Sequence, residues 1–157
     1  MPRKFDSIAY LLKPDPRCNS LLVSKFINAV MLDGKKSTAQ RAVYGAFDLI
    51  ESRVKDKEAL EVFTTAISNV RPLIMVRSKR VGGATYQVPT EVNKRRAQML
   101  AFTWILEAAR NKKGRPIGRA LADEFVAAFK GEGGAMQKRD NVHKMAEANK
   151  AFSHFAW

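Results

Sequence analysis

A mainly α fold, a single-domain bundle of about six helices with one protruding β-hairpin between the third and fourth, is predicted by three features of the sequence. Apolar residues recur every three or four positions along most of the chain, that spacing gives way to alternation between residues 73 and 88, and Pro and Gly fall at the joins. After Pro14 and Pro16, Asn19 or Ser20 caps a first helix through Leu22, Phe26, Ile27, Val30 and Met31, which Asp33-Gly34 ends. Ser37 and Gln40 form a capping-box pattern for a second helix, with Ala39, Val43, Ala46, Phe47, Ile50 and Val54 on one stripe. Asp56 caps a third helix through Leu60, Phe63, Ile67 and Val70, and Pro72 stops it.

The alternating stretch places Ile74, Val76 and Ser78 on one side and Met75, Arg77 and Lys79 on the other, around Val81-Gly82-Gly83-Ala84. Two adjacent glycines supply the positive φ angles of a tight hairpin turn, and Pro89 is expected to end the second strand. Thr90 caps a fourth helix through Leu100, Thr103, Trp104 and Leu106, its first turns carrying Lys94-Arg95-Arg96. Pro116 suits the first turn of a fifth helix, whose Ile117, Leu121, Phe125 and Phe129 keep a four-residue period. Gly131-Glu132-Gly133-Gly134 predicts a flexible break before a mostly polar sixth helix that leads to Phe152, Phe155 and Trp157. The whole of 1–157 thus reads as one domain: an extended arm at 1–18, three helices over 19–70, the hairpin over 71–90, and three helices with a tail over 91–157.

The 157 residues include 28 Lys/Arg and 15 Asp/Glu, a net charge of +13, while a hydrophobic share of 46% is enough for a packed core. A wholly disordered basic tail is thereby excluded. The apolar runs are far shorter than the ~18 residues of a membrane span, and no secretory signal is read at the N-terminus. The single Cys18 has no partner for an internal disulfide. Residues 71–119 hold 12 Lys/Arg against only Glu91 and Glu107, so the excess is concentrated. Such crowding of one sign destabilises a compact state unless a polyanion offsets it. By contrast 48–61 has five acids against three bases and is expected to face away from that anion.

Catalytic chemistry finds little support. His143 and His154 are far apart, Cys18 has no activating neighbour in sequence, and neither HExxH nor GxSxG occurs. The segment Gly34-Lys35-Lys36-Ser37-Thr38 fails as a phosphate loop because Ala29 stands where the first glycine belongs and Lys36 takes the hydroxyl position. No catalytic residue, no metal site and no cofactor is predicted. Nucleic-acid contact is better supported, since Arg77, Lys79 and Arg80 on the hairpin and Lys94, Arg95 and Arg96 after it are two basic triplets flanking a glycine turn. Arg110, Lys112, Lys113 and Arg115 either join that surface or solubilise a loop. Tyr86 either stacks on a base or packs on its neighbours, and Trp104 reads as core. A DNA-bending protein with ribbon arms is the rival reading, weakened because Val81 and two glycines make a poor wedge. An RNA-processing enzyme is the other.

Residues 71–92, RPLIMVRSKRVGGATYQVPTEV, resemble the hairpin of the small-subunit ribosomal protein seven family, bacterial type. Asp15-Pro16, Asp33-Gly34-Lys35-Lys36-Ser37, Arg95-Arg96 and the run HKMAEANKAF at 143–152 resemble the same family in the same order. The resemblance implies an all-α bundle with one ribbon arm and no enzymatic activity. It implies a structural constituent of the small ribosomal subunit that binds its rRNA early, nucleates assembly of the head, and lies near the exit site beside tRNA and mRNA. Carried onto this chain, rRNA contact falls to Arg3, Lys4, Lys35, Lys36, Arg77, Lys79, Arg80, Lys94, Arg95 and Arg96. The exit-site surface falls to Val81, Gly82, Gly83, Lys138, Arg139, His143 and Lys144, with Tyr86 beside them. The expected partners are the small-subunit rRNA, exit-site tRNA and mRNA, and neighbouring small-subunit protein number eleven, with no membrane. The expected location is the cytoplasmic ribosome of a bacterium, an organellar ribosome being the alternative.

Overall fold

A computed structural model describes residues 11–155, so Arg3 and Lys4 lie outside the described residues. The chain runs α1 (Leu21–Val30), α2 (Lys36–Arg53), α3 (Ala59–Val70), β1 (Ile74–Val81), β2 (Ala84–Glu91), α4 (Lys94–Asn111), α5 (Ile117–Phe129) and α6 (Gly134–Ala148). A short 3-10 helix, Lys150–Phe155, follows. The mainly helical architecture, with an antiparallel hairpin between α3 and α4, is as the periodicity predicts.

Helix α5 lies at the centre because it is apolar on several sides: Leu121 and Phe125 are fully buried, and Ala120, Ala122 and Ala128 let neighbouring helices close in. It packs on α2, α3 and α4. Gly118 makes the tightest approach, since a Cβ there would stand 2.9 Å from the carbonyl oxygen of Ala42 on α2. Around α5 sits a cluster of edge-to-face rings, Phe26 against Phe63, Phe102 and Phe125, and Phe63 against Phe47 and Phe125, at centroid distances of 5.2 to 5.5 Å. Each such pair is worth about 0.5–1.5 kcal/mol beyond its buried area. Trp104 is buried as expected, but Thr103 is exposed and donates its hydroxyl to Met99 O, while Phe102 and Ile105 supply the core face of α4.

The helix starts differ from the cap patterns in the sequence. Asp33 at φ 51° and Gly34 at φ 71° turn the chain so that α2 begins one residue ahead of Ser37, which falls inside the first turn with Lys35 at the cap position. Glu58 rather than Asp56 precedes α3, because the buried stripe begins at Ala59. Thr90 belongs to β2, and the α4 cap is Asn93, whose side chain accepts the Arg95 amide at 3.3 Å. Pro116 stands just before α5 instead of within its first turn.

Pro89 does not end the second strand. Val92 N–H donates to Leu73 O at 2.9 Å, and pairs alternate inward from there, bonded at Met75 with Thr90 and at Arg77 with Val88. Val76 with Pro89 falls between them. An amide at Pro89 would point away from β1, so its absence removes no ladder bond.

The glycine run after α5 is a shaped turn instead of a flexible break. Gly133 takes φ 99°, and a Cβ there would lie 2.9 Å from Glu124 Oε1. That carboxylate, only 1% exposed, accepts the Ala135 amide at 2.9 Å and pairs with Lys112 Nζ at 3.0 Å. A buried charge held from two directions fixes where α6 starts. A second buried carboxylate among the described residues, Asp15, accepts from the amides of Arg17 and Cys18 and from Tyr44 OH at 2.7 Å. Burial first, then the bond to Asp15, pushes the Tyr44 hydroxyl up to about 12.

Candidate nucleic-acid interface

The ribbon is built by its turn. Gly82 at φ 56° and Gly83 at φ 88° form a two-residue loop whose twist matches the flanking strands. Alternation along β1 then splits the first basic triplet. Arg77 and Lys79 share a face with Tyr86 and Val88, whereas Arg80 lies on the face of Ser78, whose hydroxyl meets Gln87 Oε1 at 3.1 Å. Val88 is 1% exposed and pairs with Arg77 halfway along the ribbon, and His143 on α6 holds the ribbon's base by accepting the Leu73 amide at Nε2, 3.2 Å away. Arg77 and Arg80 are exposed, while Lys79 is half-buried and donates to Phe155 O at 3.0 Å. Tyr86 packs on Phe152 and Phe155 at 5.3 and 5.2 Å between ring centroids, so its ring is occupied within the chain.

The second triplet opens α4 two residues beyond β2. Lys94, Arg95 and Arg96 are all exposed, and they sit on the positive end of the helix dipole, where no acid occupies the first turn. Cations and unsatisfied amides there attract the same anion.

The remaining cations are handled differently. Lys35 and Lys36 are exposed at the turn into α2. Arg110, at the far end of α4, donates to Val30 O at 3.3 Å, which draws the α4–α5 loop toward the end of α1. In that loop Lys112 is held by buried Glu124, Arg115 pairs with Asp123 at 3.1 Å while staying exposed, and Lys113 is exposed. Burial pushes the Asp123 carboxyl upward, but the hydrogen bond from Arg53 and the charges of Arg53, Lys112 and Arg115 hold it below the usual carboxylate range. On α6, Lys138 and Lys144 are exposed, whereas Arg139 is half-buried, donating to Asn69 O at 2.5 Å and pairing with Asp140. On the ribbon the structure therefore leaves Arg77 and Arg80 exposed, on opposite faces, and the exposed α4 triplet begins three residues after the second strand ends. Lys35, Lys36 and Lys113 are exposed on other turns, and Lys112 and Arg139 are held by Glu124 and by Asn69 and Asp140.

Sequence reasoning missed the roles of Glu124, Phe152 and Phe155. The two phenylalanines could have been paired with Tyr86 only by knowing that the chain returns to the ribbon after α6. Among the described residues no three His, Cys, Asp or Glu side chains gather as a metal site would require.

These features define a basic, mainly helical protein that presents cations on a ribbon arm and on the helix end beside it. Residues 2–150 match the family model described as ribosomal protein S7p/S5e. A protein named small ribosomal subunit protein uS7 from Rhodopirellula baltica is 61% identical over 144 residues, 91% of this chain and 92% of its own. Proteins of the same name from Thermotoga petrophila and Dictyoglomus turgidum are 55% identical over 92% of each chain and 54% identical over the full length of both. The chain belongs to the ribosomal protein S7p/S5e family and is a structural, non-enzymatic component of the ribosome.

Proposed function

We propose that this protein is a primary rRNA-binding protein of the small subunit, nucleating assembly of the head domain of the rRNA, with its ribbon and α6 turned toward exit-site tRNA and mRNA in the cytoplasmic ribosome of a bacterium. The observation that carries the reading is the exposed triplet Lys94, Arg95 and Arg96 at the start of α4, directly after a ribbon bearing exposed Arg77 and Arg80. The close likeness to proteins named for the small ribosomal subunit supports the partner. Folded RNA hides its base edges in a deep major groove, so a rigid array of cations recognises it by the positions of its phosphates. The helices hold that array in place. The exit-site face comprises Val81, Gly82 and Gly83 at the tip, with Lys138 and Lys144 exposed on α6. Small-subunit protein eleven is the expected protein neighbour there.

The test is filter binding to a transcript of the rRNA head domain against an unrelated folded RNA and duplex DNA at matched salt. Preference for the head transcript, with log K falling by about 0.7–0.9 per log salt for each phosphate contacted, is the expected outcome. Equal or stronger binding to duplex DNA would overturn it.

A further inference from the structure

We propose that the 3-10 helix Lys150–Phe155 is a strut that fixes the angle of the ribbon arm, with Phe152 and Phe155 as positioning residues for whatever the arm touches. The inference rests on the reading that the arm engages RNA. A two-stranded ribbon is marginal by itself in water. Along both strands only Val88 is fully buried, and it pairs with Arg77 halfway along the ribbon, while the bond from Leu73 to His143 lies at the base.

Support that ends at mid-ribbon leaves the outer half of the arm a lever. Four residue pairs lie beyond Val88, and at 3.3 Å each they give a length of about 13 Å, so a swing of about 10° moves the tip by roughly 2 Å. That exceeds the tolerance of a hydrogen bond to a phosphate. The 3-10 helix moves the support outward. Tyr86 pairs with Lys79, and only two residue pairs separate them from the turn. There Phe152 and Phe155 pack against the Tyr86 ring, and Lys79 Nζ donates to the Phe155 carbonyl oxygen. The His154 ring packs against Phe155, tilted, at 4.0 Å between ring centroids. Both strands are thus gripped close to the tip by one short segment. None of its residues is buried in the bundle, so its contacts serve the arm more than the core.

Pulsed electron spin resonance on the full chain tests this, with Cys18→Ser removing the native thiol and labels carried by Ala84→Cys at the tip and Lys55→Cys on the bundle. A single narrow distance is expected in the parent and a broadened one in Phe152→Ala/Phe155→Ala. The Phe152→Tyr/Phe155→Tyr variant should restore the narrow distance, as rings of that shape still pack on Tyr86. Affinity for the head-domain transcript should weaken about tenfold in the alanine variant, the cost of ordering a loose arm on binding, at an unchanged unfolding midpoint. An equally narrow distance in the alanine variant, or undiminished affinity, would overturn the strut. Failure of the parent protein to bind the transcript would instead sink the functional reading, and the distance measurement would still decide the strut.

Discussion

At the start of α4, Lys94, Arg95 and Arg96 stand exposed with no acid in the first turn, whereas around its end Arg110, Lys112 and Arg115 reach Val30 O, Glu124 and Asp123. Roughly 22 Å of helix separates the two groups. In the sequence they look alike, two short runs of cations within one stretch of strong positive excess. The structure leaves the first group without an acid in its turn and ties each member of the second to an acceptor of the fold, Lys112 to a buried one. A density of charge along the chain therefore overstates the charge offered to a partner, because carboxylates on the next helix neutralise part of it. Glu124 and Asp123 supply that neutralisation here, from α5.

The sharpest way to break this contrast is Lys112→Met. It leaves the Glu124 carboxylate buried without its cation and should cost about 2–4 kcal/mol in urea unfolding, with the salt dependence of RNA binding unaltered. A flattened salt slope at full stability would move Lys112 to the outward group. The converse is Lys94→Ala/Arg95→Ala/Arg96→Ala. There the slope of log K against log salt should flatten by about 2–3 units while stability holds or rises slightly, since like charges leave the positive end of a helix. An unchanged slope would remove the triplet from the interface.

Smaller effects refine the picture. The depressed Asp123 carboxyl contributes stability that is present above the ordinary aspartate value of about 3.9 and lost as pH falls through the folded-state value. Asp123→Asn should therefore cost about 1 kcal/mol at neutral pH and flatten the acid side of the stability profile. Tyr44 has the opposite sign. Its raised value supplies stability that is complete below about 10 and lost as pH climbs toward 12, so Tyr44→Phe should flatten the alkaline side. The smallest change is expected from Lys113→Ala, about one unit of salt slope or less, against none for Arg115→Ala.

The helices and the hairpin were legible because their signals are local. Stripes such as Ala39, Val43, Ala46, Phe47 and Ile50 declare a buried face without reference to anything distant, and Gly82-Gly83 declares its own turn. Helix starts were read less well, since Ser37 and Thr90 have the chemistry of caps but Gly34 and the long β2 strand decide where the helices begin. Within the candidate interface, the residue types were legible and their assignment was not. Whether Lys112 or Arg139 faces outward depends on Glu124 and Asn69, which only folding brings near. Tyr86 shows the same limit, its ring being claimed by Phe152 and Phe155 from the far end of the chain.

A ribbon of two strands has no interior strand, so each of them is also a rim carrying amides and carbonyls that a second copy could zip onto. Pro89 deletes one outward amide from the β2 rim, and Arg77, Lys79 and Arg80 make two approaching ribbons repel. The same residues that suit the arm to a polyanion thus act as gatekeepers against self-association for as long as a newly made copy waits for its place in a particle.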